Sequence, residues 1–139
     1  MTAAAIYFRA GEILVVPQGG GGGHFIDVEP IEVVPHDAAA VQAAVQRALQ
    51  VSGVTPNDAP PKGWKTPLLK QTGVKSYKAF MQGAVLCFVF EDGGTFDVER
   101  WQPARDGRGY EPAPVGATRL RGTDGLGDAV LSLLSQAEP

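Results

Sequence analysis

The stretch Ala84-Val85-Leu86-Cys87-Phe88-Val89-Phe90, followed by Glu91-Asp92-Gly93-Gly94 and then Thr95-Phe96-Asp97-Val98-Glu99-Arg100-Trp101, decides the fold. Its first run is apolar at every position, as a strand must be when a sheet buries both its faces. The acid-acid-glycine-glycine sequence is a tight-turn signal. The last run alternates, with Phe96 and Val98 on one face and Asp97 and Glu99 on the other, so one face is wet. The two runs therefore predict a hairpin whose first strand is central in a sheet.

Upstream, Ala3 to Arg9 and Ile13 to Pro17, separated at Gly11, predict two strands or one broken strand. Gly19 to Gly23 is an unbroken glycine run and is expected to be a flexible loop at a hairpin end. Ile26 and Val28 alternate with Asp27 and Glu29, giving a strand with Asp27 on its wet face. Pro30 shifts the phase to Ile31 and Val33 and predicts an edge strand or bulge, because proline cannot donate to the ladder. Asp37 is a good N-cap, Val41, Val45 and Leu49 share one helical face, and Gly53 is placed to stop the helix, so residues 37–52 are helical. Thr55 to Pro61 reads as an extended connector.

Thr66 with Pro67 at the first helical position, and Gly73 after it, predict one short helix that turns Leu68 and Leu69 inward. Ser76 caps a second that carries Tyr77, Phe80 and Met81 to Gly83, with the lysines outward. Downstream of the hairpin, residues 102–116 are rich in proline and glycine and are expected to be a loop. Thr118 to Arg121 reads as a short strand. Thr123 or Asp124 then caps a closing helix striped by Leu126, Val130, Leu133 and Leu134. The fold class is α+β: one domain spanning residues 1–139, a mostly antiparallel twisted sheet with helices packed on one face.

Charge is unevenly placed. All five lysines, Lys62, Lys65, Lys70, Lys75 and Lys78, lie in a stretch free of Asp and Glu, whereas the remaining residues set seven arginines against fifteen acids. The net −3 thus combines a +5 segment with a −8 remainder (5 − 8 = −3), and separated charge gives a directed field. The hydrophobic fraction of 44% and charged fraction of 19% fit an ordinary globule. Cys87 stands alone and cannot form an internal disulfide. With no secretory pattern at the start, the expected compartment is a reducing cytoplasm. The longest apolar run, Ala84 to Phe90, is too short to span a bilayer.

Few residues invite chemistry. His24, His36 and Cys87 match no metal-ligand spacing, and Cys87 sits inside the buried strand. No nucleophile lies beside a base. The glycine run lacks the lysine and hydroxyl of a phosphate loop. The segment Gly122 to Gly127, with Arg119 and Arg121 near, could hold an anion at a helix start, although capping explains it equally well. Asp97 and Glu99 share a strand face and are expected to be solvated; with His36 they form the weakest candidate, a site assembled from distant residues. The lysine segment is the strongest. Trp64 and Tyr77 interleave with Lys65, Lys70, Lys75 and Lys78, a combination that suits single-stranded nucleic acid. The acidic remainder favours instead a basic face used against an acidic partner or simply solvated. No catalytic residue, cofactor or metal is assigned.

The run from Thr66 to Gly83 (TPLLKQTGVKSYKAFMQG), leading into the strand at Ala84, resembles immunity proteins, the cognate inhibitors of contact-dependent growth inhibition and related polymorphic toxins. The resemblance covers some twenty-five of the 139 residues. It implies a small cytoplasmic protein that inactivates a toxin by one-to-one binding. An inhibitor of that kind needs buried anchors and complementary charge rather than chemistry. The partner-binding candidates are Trp64, Lys65, Lys70, Lys75, Tyr77 and Lys78 on the basic face and Asp92, Asp97 and Glu99 on the acidic one. Oligomeric state is left open.

Overall fold

The computed structural model describes residues 1–21, 24–54, 63–104, 110–114 and 117–135. Strands β5 (Val85–Asp92) and β6 (Thr95–Pro103) form the expected hairpin, in register from Asp92 opposite Thr95 to Leu86 opposite Trp101. Gly93 and Gly94 close it with φ of 59° and 86°, and a two-residue turn positive at both positions suits glycine.

Strand β1 (Thr2–Arg9) lies between β5 and β2 (Glu12–Gly21) and is antiparallel to both. It is therefore fully interior, and Ala3 to Tyr7 are buried without a break. The outer side of β2 is shared by two short strands: β3 (His24–Asp27) pairs with Gln18 to Gly21, and β4 (Glu32–Val34) with Ile13 to Val15. Pro30 falls between them, so the proline sits where pairing is interrupted, at an edge. The outer side of β6 is shared in the same way by β7 (Tyr110–Pro112) and β8 (Thr118–Arg121). The result is one antiparallel sheet of eight strands.

Several expectations need correction. Gly19 to Gly21 are strand, not loop, because β3 supplies their ladder partners. The segment 102–116 is not all loop: β6 continues through Gln102 to Pro103, and Tyr110 to Pro112 add a strand to it. Val33 is exposed at 47%, and the inward residue of β4 is Val34. Asp27, expected on a wet face, is buried. Gly22, Gly23, Lys62 and the connector 55–61 lie outside the described residues.

Two longer helices, α1 (Ala38–Val54) and α4 (Leu126–Ser135), pack on one face of the sheet. Their stripes of Val41, Val45 and Leu49, and of Leu126, Val130, Leu133 and Leu134, close on Ile6, Val15, Cys87 and Val98. Asp37 caps α1, its Oδ2 accepting the Ala40 N–H at 2.9 Å. The helix runs on past Gly53 to Val54. Its Ser52 hydroxyl accepts the Ala3 N–H at 3.0 Å and donates to the Gln18 carbonyl at 2.6 Å, tying the helix end to β1 and β2. The α+β class is as expected. Successive β1 side chains alternate between sheet faces, so Ala5, Tyr7, Leu14, Val16 and Leu86 form a second cluster on the opposite face. Two short helices cover it, α2 (Pro67–Thr72) and α3 (Tyr77–Met81), through Leu68 and Phe80, so helices lie on both faces of the sheet and not, as expected, on one.

Candidate functional site: an aromatic cleft with lysines at its mouth

The short helices start as the sequence prescribes. The Thr66 hydroxyl accepts the Leu68 N–H at 3.2 Å and Ser76 Oγ accepts the Ala79 N–H at 3.1 Å, satisfying otherwise orphaned first-turn donors. Gly73 ends α2 in the left-handed region at φ 75°. Thr66 has a second task. It donates its hydroxyl proton to Asp27 Oδ2 at 2.6 Å, while Asp27 Oδ1 accepts from Gln18 Nε2 at 2.7 Å and from the Tyr7 hydroxyl at 3.1 Å. The Tyr7 and Tyr77 hydroxyls are 3.2 Å apart and hydrogen-bonded. One buried carboxylate thus joins β1, β2, β3 and the α2 cap, and through Tyr7 it reaches α3.

Burial, reinforced by the charge on Asp27, holds the Tyr7 phenol well above its ordinary value. Burial raises Tyr77 as well. Both phenols are neutral at physiological pH and serve as hydrogen-bond groups. The network is the floor of a cleft of about 590 Å³ between β3, α2, α3 and the sheet. Its walls are Phe25, Trp64, Tyr77 and Phe88, with Lys65 and Lys75 among its lining residues. The aromatic surface continues beyond it: Phe88 stacks on Phe90 at 5.5 Å and meets Trp101 edge-on at 4.9 Å, and Phe25 reaches Phe90 at 5.9 Å.

Of the candidate residues, Trp64, Lys65, Lys75 and Tyr77 come together in this cleft. Lys70 lines an adjoining groove with Val28 and Glu29, and Lys78 is exposed on α3 and lines neither. The four described lysines are exposed, as expected, and none of them forms an ion pair among the described residues. Tyr77 is less available than its sequence context implies. Its ring stacks on Phe80 at 6.3 Å and is met edge-on by Tyr110 at 5.8 Å.

The acidic candidates lie apart. Asp97 is held by Arg119, Nε to Oδ1 at 2.7 Å. Glu99 accepts the Trp101 indole N–H at 3.3 Å. Asp92 is exposed at the end of β5. His36 packs against Phe8 at 6.3 Å, at the face that α1 and α4 cover. Asp97 and Glu99 alternate with Phe96 and Val98, which point to that face, so they belong to the opposite one. The structure does not assemble these three. At the start of α4, the Gly127 N–H donates to Gln42 Oε1 at 3.1 Å, so an amide of the suggested anion site is already engaged. Among the described residues no three His, Cys, Asp or Glu side chains converge as metal ligands. No helix among them is long and apolar enough to cross a membrane.

Sequence reasoning missed Asp27, Tyr7, Gln18 and Phe25. Asp27 finds its partners 9, 20 and 39 positions away, and no local pattern encodes those meetings.

No protein-family model matches the chain, and no curated protein matches it. Solved structures share its fold. A protein of unknown function from Neisseria meningitidis superposes with a TM-score of 0.75 at 13% identity, over 99% of this chain and 95% of that one. A chain of the CdiA-CT/CdiI toxin and immunity complex from Yersinia pseudotuberculosis does so with a TM-score of 0.58 at 11% identity, over 97% of this chain and 95% of that one. At such identities the likeness is one of fold.

Proposed function

We propose that this chain is a binding protein without catalytic activity, and specifically an immunity protein that neutralises a cognate bacterial toxin in the cytoplasm by direct one-to-one association. The observation that carries the reading is the end-to-end likeness of fold to a chain from a toxin and immunity complex. The run from Thr66 to Gly83, read from sequence alone as similar to immunity proteins, supports it independently, and it builds α2 and α3. The groups that would serve catalysis are engaged structurally: Asp27 receives three donors, and Asp97 and Glu99 each hold a partner. An inhibitor requires instead a rigid, shaped surface with anchors and complementary charge, and an aromatic cleft carrying lysines on a polarised molecule provides one.

The test is capture with the tagged chain from lysate of the source organism, with and without nuclease, read by mass spectrometry. Recovery of one large secreted protein through its C-terminal domain, unaffected by nuclease, is the expected result. A second reading, single-stranded nucleic acid bound at Trp64, Lys65 and Lys75, draws on the same cleft. It would be preferred if RNA and its binding proteins were recovered and then lost on nuclease treatment. Turnover of a small substrate at an ordinary enzymatic rate would overturn the first reading, and no detectable RNA or DNA binding at low salt would eliminate the second.

A further inference from the structure

We propose that the cleft between β3, α2 and α3 receives an acidic segment of a partner protein, anchored by one aromatic side chain of that segment. This deepens the binding-protein reading and rests on it. The anchor follows from the walls. Phe25 and Trp64 are 38% and 37% exposed, unusual for large apolar residues in this molecule, and both line the cleft with Phe88 behind them. A planar side chain entering there meets ring faces and edges on several sides, the geometry in which aromatic pairs add to burial. The floor is preformed, because the Asp27 network fixes α2 to β3 before anything binds, and a preorganised pocket loses little to ordering.

The acidic character follows from charge. Lys65 and Lys75 line the cleft and Lys70 the adjoining groove, and none has an anionic partner among the described residues. Asp27 is the acid among the described lining residues, and donors from three side chains occupy its two oxygens. The cleft therefore sets two exposed lysines against one buried carboxylate whose oxygens are already engaged, and the adjoining groove sets Lys65 and Lys70 against Asp27 and Glu29, so the free positive charge is that of the cleft.

A protein segment fits better than a polynucleotide on two grounds. Tyr77 has one face on Phe80 and is met by Tyr7 and Tyr110, and Phe88 is stacked on Phe90 and met by Trp101, so a base has Trp64 and Phe25 to stack on. A long polyanion leaving the cleft would also cross a surface where, outside the lysine segment, seven arginines face fifteen acids. A short acidic segment needs positive potential only locally.

The experiment is a calorimetric and NMR titration of the full chain with three probes: acetyl-Glu-Glu-Phe-Glu-Glu-amide, the corresponding peptide with lysine for glutamate, and a short oligothymidylate. The acidic peptide should bind saturably and shift the Trp64 indole resonance. In the double variant Lys65→Gln/Lys75→Gln its affinity should fall roughly tenfold, as expected for two surface ion pairs. In Trp64→Ala it should fall by roughly thirtyfold or more, as for an aromatic hot spot. All three side chains are exposed, so the variants are expected to fold, with circular dichroism as the check. Equal or tighter binding of either other probe, indifference to the lysine substitutions, or no saturable binding would overturn the proposal. A captured toxin domain that binds the double variant as well as it binds the wild type would also overturn it while sparing the immunity reading. Acidic-peptide binding as expected, with no toxin captured, would do the reverse.

Discussion

Asp27 shows how much can depend on one side chain. It is a buried carboxylate that accepts from an amide, a phenol and a hydroxyl. Asp27→Asn keeps the shape and turns half of an acceptor into a donor facing other donors. Leaving such groups unsatisfied costs about 1–3 kcal/mol, so the unfolding free energy of Asp27→Asn should fall by that much, read as a lower urea midpoint at unchanged slope. A variant as stable as the wild type would show that the network is incidental. The residue was not legible in the sequence. Between Ile26 and Val28 it reads as the wet member of an alternating strand, and only the arrival of Thr66 above β3 makes the position interior. Thr66 was legible, because capping is a local transaction between a hydroxyl and an amide two residues on. The cleft divides the same way: Trp64, Lys65, Lys75 and Tyr77 stood out in one segment, whereas Phe25 and Tyr7 joined them only through the fold.

At the scale of elements, two glycines in the two long helices make opposite demands. Gly127, in the first turn of α4, lies so close to the Ala38 carbonyl of α1 that a methyl group would overlap it. Gly53, in the last turn of α1, would place a methyl 3.4 Å from Thr2 Cγ2, an ordinary contact. Gly127→Ala should therefore push α4 off α1 and destabilise by about 1–3 kcal/mol, as overpacking does. Gly53→Ala should stabilise by roughly 0.5–1 kcal/mol, since glycine in a helix orders at greater entropic cost than alanine. Thermal melts of the two variants should move in opposite directions, and a shared direction would refute the packing argument. Elements were legible where they carried their own signal: the β5–β6 hairpin has its two-glycine turn, and α1 has Asp37 and its stripe. Gly19 to Gly21 and Tyr110 to Pro112 are strands because neighbours pair with them, and glycine and proline carry no side-chain pattern that announces it.

For the whole molecule the question is whether its two faces melt together. β1 contributes Ala4 and Ile6 to the core under α1 and α4, and Ala5 and Tyr7 to the cluster under α2 and α3. Neither cluster can open without exposing the strand the other needs, so loss of either should be loss of both. Alkaline pH tests this, because each face holds a neutral acid. Burial raises Cys87 on one face above its ordinary 9.0, and raises Tyr7 and Tyr77 on the other above 10.0. With folded values raised, the stability these groups contribute is complete below their unfolded values. As pH climbs through 9 and then 10, the unfolded chain releases protons that the folded chain retains, and stability must fall. Burial raises the partly exposed Tyr110 as well. Phenolate absorbance from Tyr7 and Tyr77 and alkylation of Cys87 should then appear in one transition, coincident with loss of circular dichroism. If the tyrosines of one face ionised while Cys87 on the other stayed protected, α2 and α3 would form a separable lid over a sheet that stands without them, and the cleft's floor would not be preformed.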